Sequence, residues 1–337
     1  MTTTISFPTR DCIVVGCDSL ATTSRPLISP ADIMDSFFES GKLKLDEKGE
    51  PILKTPSDLV SLLEYVPYNQ MPDVTKLFEL KPAPIAVLHA GALLLGNKSI
   101  KNIIEEFLSK QETKKFLKGD YTIYGVSKKL FAYIKKHYNE VYKNQKSPPY
   151  VELIVSGYSK RSWQPEVMKL EFKKKQELQR ANKKGDFNPV FGGQHDVIER
   201  IVFGVDEDSY QKISIRVLDL LLKYYELLSD FIKKKKINIL LPKPDSFNEL
   251  AFTQPGSWPF SGISLADLKN FSEQAAINFV EFLINIMIQA QQFNNRMPTV
   301  GGEIQLALIN KREGFKWISK EEYKYKNYGV PKHDKKP

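Results

Sequence analysis

The chain is poor in the residues that build metal centres and disulfide frameworks. Among 337 residues there are two cysteines and four histidines. Cys12 and Cys17 share one short apolar run, a spacing that suits neither a cross-linked scaffold nor a metal finger. His89, His137, His195 and His333 stand far apart with no ligand-like interval, so neither a metal nor another cofactor is expected. Long apolar runs are missing as well. The strongest, Leu218 to Ile232, is interrupted by Asp219, Lys223, Glu226 and Asp230. It falls short of the ~20 apolar residues that a membrane span needs. The N-terminus has no basic region followed by an apolar core, which argues against a secretory signal. The expectation is a protein of the reducing cytoplasm with no membrane partner.

What is present reads as globular. Hydrophobic residues make up 42% and charged residues 26%, ordinary values for a folded chain. The length suits one large domain or two modest ones. The net charge of +9 comes largely from lysine runs at 173–175, 233–236 and in the tail from Lys320 to Pro337. Such runs are usually solvated loops and helix ends. No nucleic-acid motif accompanies them, so nucleic acid is not the expected partner; if it were, its affinity would fall steeply with salt.

Periodicity orders the elements. Ile5 and Phe7 alternate with Thr4 and Ser6, and Cys12 to Cys17 forms a second apolar run after the turn Thr9-Arg10-Asp11. This predicts a β-hairpin. Prolines break up 24–73, where one helical stretch is expected from Ser57 to Tyr65, and Lys42 to Leu45 reads as a strand. Strands are expected at Thr75–Leu80 and Ile85–Ala90, the latter ending at Gly91. A helix capped by Asn97 or Ser99 runs through Ile103, Ile104 and Phe107, and a second spans Tyr121–Tyr142. A hairpin follows at 151–157 and 166–171, then a polar loop at 173–187. Asn188 to Asp196 reads as a strand end, a glycine turn and a helix start. Helices are expected at 197–202 and 213–232, a loop insertion at 237–263, and a helix from Leu265 to Phe293 capped by Ser264. The closing strands hold Ile304, Leu306 and Leu308, then Phe315 to Ile318. Strands and helices arrive in blocks, which favours an α+β architecture built on antiparallel hairpins over a Rossmann-type one.

Thr2 follows the initiator methionine, and Asp18 ends the strand that pairs with the strand beginning at Thr2. A small second residue permits methionine removal, which would place a hydroxyl and a free α-amine on one residue. An α-amine titrates near pH 8, about 7.7–8.0, so its neutral form can take the proton of its own hydroxyl.

With Thr2-Thr3-Thr4, Cys17-Asp18-Ser19-Leu20-Ala21-Thr22, Lys76-Leu77-Phe78-Glu79-Leu80, His89-Ala90-Gly91-Ala92, Gly192-Gly193 and Gly301-Gly302 in this order, the chain resembles the proteasome β-subunit and bacterial threonine-protease branch of the N-terminal-nucleophile hydrolases. The resemblance covers most of the chain apart from roughly 24–73, 173–187, 207–263 and the tail. It implies a four-layer αββα sandwich, with two antiparallel sheets between helical layers. One domain would span 1–319, with insertions at about 24–73 and 207–263, followed by a basic tail at 320–337. It further implies a threonine-type amide or peptide hydrolase activated by removal of Met1, with Thr2 as nucleophile, Asp18 as orienting carboxylate, Lys76 as nearby cation and Gly91 as oxyanion donor. Lys42 and Lys44 are rivals for the lysine role. His89 and Thr22 are the implied substrate-pocket residues, a histidine there favouring polar or acidic groups. The implied partners are a peptide or protein substrate and further copies of the chain, with any unfoldase or regulatory partner unidentified. Two segments depart from the pattern. Gly192-Gly193-Gln194-His195 replaces a Gly-Ser-Gly-Ser turn, and Met297-Pro298-Thr299-Val300 replaces Asp-x-x-Ser. His195 and Thr299 are candidates to compensate. A catalytically degenerate structural or assembly subunit is the alternative.

Overall fold

A computed structural model describes residues 2–39, 42–45, 49, 64–143, 145, 148–183, 185–236, 239, 268–293 and 297–319. The strands, in chain order, are β1 (Thr3–Pro8), β2 (Cys12–Cys17), β3 (Ala21–Leu27), β4 (Phe38–Glu39), β5 (Lys42–Leu43), β6 (Glu64–Met71), β7 (Leu77–Glu79) and β8 (Ile85–Gly91). They continue with β9 (Leu94–Leu95), β10 (Lys98–Ser99), β11 (Val151–Tyr158), β12 (Pro165–Phe172), β13 (Glu177–Arg180), β14 (Val190–Gly193), β15 (Gln305–Asn310) and β16 (Gly314–Ser319). The helices are α1 (Pro30–Phe37), α2 (Ile100–Ser109), α3 (Gln111–Lys118), α4 (Ile123–Tyr142), α5 (Asp196–Phe203), α6 (Glu207–Lys235) and α7 (Glu273–Gln292).

Two five-stranded sheets form, in the orders β14-β1-β2-β15-β16 and β13-β12-β11-β8-β7. Every neighbouring pair in both is antiparallel. Side chains alternate across a strand with period two, and here both faces are covered. In β2, Ile13, Val15 and Cys17 join a core with Leu88 and Ile154 of the other sheet. Cys12 and Val14 join a second core with Ile198 of α5 and Leu283 and Met287 of α7. In β8, Ile85 and Val87 face a third core with Ile104 of α2 and Ile134 of α4. This explains why these strands read as unbroken apolar runs: each face is buried against something. Gly16 sits where a Cβ would press within 2.8 Å of Val280 and Ile284. The missing side chain lets α7 pack close against β2.

The architecture is mixed α/β with antiparallel sheets, as the block order suggested. Several boundaries differ from expectation. Residues 173–187 include strand β13, which pairs with β12; Glu177 and Arg180 are polar because they lie on a sheet edge. The last long helix begins at Glu273, capped by Ser272, whose hydroxyl accepts from Ala275 N; Ser264 lies outside the described residues. Glu64 and Tyr65 belong to strand β6, which pairs with β3, and not to a helix; residues 57–63 are outside the described set. Helix α6 is longer than 213–232 because Asp206 caps its start by accepting from Ser209 N at 2.9 Å. Helix α3 escaped sequence reading because its eight residues carry only Thr113 and Leu117 as buried positions. Apart from Ile239, residues 237–263 lie outside the described set, as does the tail 320–337. No helix among the described residues is long and apolar enough to cross a membrane.

Candidate active site

Thr2 enters β1, which pairs on one side with β14, Thr3 opposite Gly193, and on the other with β2, Thr4 opposite Cys17. The hairpin register therefore carries Asp18 to the start of β1. Asp18 is fully buried. Its Oδ1 accepts from Thr3 N at 2.9 Å, and its Oδ2 accepts from Leu20 N at 3.2 Å and Gly301 N at 3.1 Å. Lys76, just before β7 and equally buried, places Nζ 3.1 Å from both carboxylate oxygens and donates to Leu20 O at 2.5 Å. Of the three lysines weighed from sequence, Lys76 bonds Asp18. Lys42 is exposed in β5, and Lys44 donates to Asp35 O at 2.8 Å.

Burial pushes the Asp18 carboxyl up from its ordinary range; the Lys76 charge and the amides of Thr3 and Gly301 pull against it. Burial likewise pushes the Lys76 ammonium down, against the charge of Asp18. Gln305 fixes the lysine backbone, its Oε1 accepting from Lys76 N at 3.0 Å and Leu77 N at 3.1 Å. Sequence reading missed Gln305, since a lone glutamine at a strand start carries no pattern.

Thr2 lines a cavity of about 520 Å³ with Gly91, Tyr150, Gln194, His195 and Glu199 among its walls. Gly91 has φ +94° and Gly193 φ +68°, the left-handed region that favours glycine. A Cβ at Gly193 would overlap the Thr2 carbonyl oxygen, and one at Gly91 would overlap that of Tyr150. Both turns thus need glycine for space as well as for conformation.

Gln194 ties the entrance together. Its N–H donates to Thr2 O at 2.7 Å, its carbonyl accepts from Thr3 Oγ1 at 2.6 Å, and its Oε1 accepts from Thr299 Oγ1 at 2.8 Å. The two departing segments therefore meet through Gln194 and Thr299. His195 lies on the cavity wall, with Nδ1 2.8 Å from Gly193 O and Nε2 3.3 Å from Glu199 Oε1. Burial alone would lower its pKa, but the hydrogen bond and charge of Glu199 outweigh it and the net direction is up.

His89 and Thr22 are placed elsewhere. His89 is buried, and burial together with the Lys76 charge holds its pKa down at about 3. The neutral ring sits with Nε2 3.0 Å from Ala92 O, bracing the turn after Gly91 from behind. Thr22 donates to Pro298 O at 3.3 Å. Neither lines the cavity at Thr2. The lining is instead acidic, with Asp196, Glu199, Asp206 and Asp208. Asp206 is bonded to Arg200 Nε at 2.6 Å and Asp208 to Lys212 Nζ at 2.5 Å. Among the described residues no group of three or more His, Cys, Asp or Glu side chains is arranged to hold a metal ion.

No family model matches the chain, and no curated protein matches it. Solved structures similar to it include Anbu (ancestral beta-subunit) from Yersinia bercovieri, 10% identical with a TM-score of 0.45, covering 94% of this chain and 87% of that one. Another is the Gly-1 mutant of Anbu from Hyphomicrobium sp. strain MC1, 11% identical with a TM-score of 0.43, covering 96% and 89%. These findings correct the assignment to the proteasome β-subunit and bacterial threonine-protease branch. Short motifs carried that assignment, and no family model is satisfied.

Proposed function

We propose that this chain hydrolyses amide bonds, peptide bonds among them, with the Thr2 hydroxyl as nucleophile once Met1 is removed. The observation that carries the reading is the placement of Thr2. It opens onto a cavity, while the amide of the next residue is held by Asp18, a carboxylate paired with Lys76 inside the protein. A buried ion pair is weak evidence for stability, because desolvation offsets much of its attraction. A function that needs fixed charge beside the chain start gives the pair a reason to exist.

In the proposed cycle the neutral α-amine of Thr2 takes the hydroxyl proton as Oγ1 attacks the substrate carbonyl. The positive charge of Lys76 lowers the amine's pKa and raises its neutral fraction. The resulting oxyanion accepts from the Gly91 amide; losing such a donor typically costs about 3–4 kcal/mol of barrier. The C–N bond then breaks, the leaving amine receives the proton held by the α-ammonium, and an ester joins Thr2 to the acyl half. Water, deprotonated by the same amine, hydrolyses the ester. Asp18 acts by position, anchoring Thr3 and Lys76. Asp196, the wall carboxylate outside the ion pairs with His195, Arg200 and Lys212, favours a cationic group beside the scissile bond, the reverse of the preference expected from His89. The three apolar cores support a layer order of helices, sheet, sheet, helices within one domain over 1–319, with 320–337 as a basic tail.

The test is intact mass of the purified chain before and after a threonine-directed electrophile. The expected result is loss of Met1 and one adduct that disappears in Thr2→Ala. Retained Met1, or an adduct independent of Thr2, sinks the enzyme reading and leaves the non-catalytic scaffold. Cleavage of paired fluorogenic peptides with Lys or Glu before the scissile bond tests the substrate preference.

A further inference from the structure

The β1–β2 hairpin has a second end. Arg10 in the turn lies eight positions beyond Thr2, roughly 26 Å at about 3.3 Å per residue. A cavity of about 840 Å³ opens there, lined by Arg10, Tyr158, Trp163, Ser272, Glu273 and Arg312 among others. Four observations converge on it. The Tyr158 side chain is 1% exposed, and its hydroxyl has no hydrogen-bond partner among the described residues. A buried hydroxyl without a partner destabilises a fold unless something else satisfies it. The guanidinium groups of Arg10 and Arg312 make no hydrogen bond, ion pair or ring contact with any described residue. Ser272 and Glu273 are the cap and first residue of α7, a 20-residue helix whose N-terminal end carries partial positive charge. Trp163 is 66% exposed on the rim.

Of the remaining charges on the lining, Lys311, Lys316 and Glu273 have partners and the Asp11 carboxylate has none among the described residues. Lys311 donates to Ser159 O at 2.8 Å and Lys160 O at 2.9 Å. Lys316 pairs with Glu313, and Glu273 accepts from Asn310 Nδ2. Asp11 is exposed beside Arg10. Burial, with Asp11 and Glu273 nearby, pushes the Tyr158 phenol well above its usual range, so it stays a donor. The open groups are therefore two planar guanidinium forks, one buried hydroxyl donor and a helix N-terminus, with the exposed Asp11 carboxylate beside Arg10. Guanidinium forks and helix N-termini both suit phosphate geometry.

We infer that this cavity is a binding site for a small phosphate-bearing molecule. The phosphate sits among Arg10, Arg312 and the start of α7 and accepts from the Tyr158 hydroxyl, and Trp163 offers its ring face to an aromatic part of the ligand. The site is separate from the cavity at Thr2 and does not depend on the proposed hydrolysis.

The test uses the full chain with inorganic phosphate and phenyl phosphate as probes, read by titration calorimetry and by Tm against sodium chloride of equal ionic strength. The expected result is saturable binding and a rise in Tm, with phenyl phosphate tighter than phosphate. Arg10→Ala with Arg312→Ala weakens binding at least tenfold, and Trp163→Ala removes the advantage of phenyl phosphate. Thr2→Ala binds as the parent does. Tyr158→Phe weakens binding severalfold while leaving the ligand-free Tm equal or higher. A Tm rise matched by sodium chloride, or affinity unchanged in the double arginine variant, overturns the site. A drop in ligand-free Tm for Tyr158→Phe would show that the hydroxyl is already satisfied within the fold, and removes its role.

Discussion

The two ends of one hairpin treat charge in opposite ways. At the Thr2 end, charges are matched inside the protein: Asp18 with Lys76, Glu199 with His195, Asp206 with Arg200. At the turn end, Arg10, Arg312 and the Tyr158 hydroxyl are left open. Matched groups are fixed in place before any ligand arrives, which suits positioning a reacting group. Open groups find their partners on a ligand, which suits binding. One sheet can carry both because its strand rigidly separates them.

Five substitutions break or sharpen the contrast. Thr2→Ala has the largest expected effect, a loss of on the order of 10⁴- to 10⁶-fold in amide hydrolysis, the scale seen when a nucleophile is removed. Its urea midpoint should stay close to that of the parent. If the variant retains activity, the matched end is not the catalytic one. Lys76→Met comes next, with a cost of about 3–5 kcal/mol, because Asp18 is left charged and buried without its partner. Adding Asp18→Asn should recover much of that stability without restoring activity. A double variant no more stable than Lys76→Met alone contradicts the pairing.

Gly193→Ala follows, at about 1–3 kcal/mol for a left-handed residue under strain. The added Cβ meets the Thr2 carbonyl, so hydrolysis should fall further than stability does. Chemical denaturation and steady-state rates on one preparation separate the two losses. The smallest effect is expected at His195. Its folded pKa is raised above the ordinary 6.5, so its contribution to stability is complete below the unfolded value. That contribution fades as pH climbs through the folded one. Glu199→Gln removes the cause and should flatten this decline by about 1 kcal/mol or less. A pH series of urea midpoints that is identical in parent and variant rules the coupling out.

Much of the frame was legible because local rules dictate it. The hairpin at Thr3–Cys17 follows from alternation and a Thr9-Arg10-Asp11 turn. Ser99 caps α2 by accepting from Asn102 N at 3.1 Å, as a serine before an apolar-periodic run should. Asp18 was legible because pairing within a hairpin is short-range. What escaped were contacts between distant segments. Gln194 and Thr299 are 105 residues apart and Gln305 and Lys76 are 229 apart, so no local pattern joins either pair. The acidic cavity wall was hidden for the same reason, since Asp196, Asp206 and Asp208 look like ordinary helix-start residues. His89 looked like a pocket residue because it stands near the strand end at Gly91, yet its buried ring bonds Ala92 O and lines no part of the cavity at Thr2.

The sequence by itself determined the two long hairpins, the strands β7, β8, β15 and β16, most helices and the short-range approach of Asp18 to the chain start, because hydrogen-bonded hairpins and periodic apolar faces depend on neighbours along the chain. Only the tertiary structure decided that Lys76, and not Lys42 or Lys44, meets Asp18, that the wall beside Thr2 is acidic, and that a second cavity opens at the hairpin turn. Those outcomes depend on how two sheets and their helices pack, and long-range packing is settled by shape and burial across the whole fold, which no local pattern encodes.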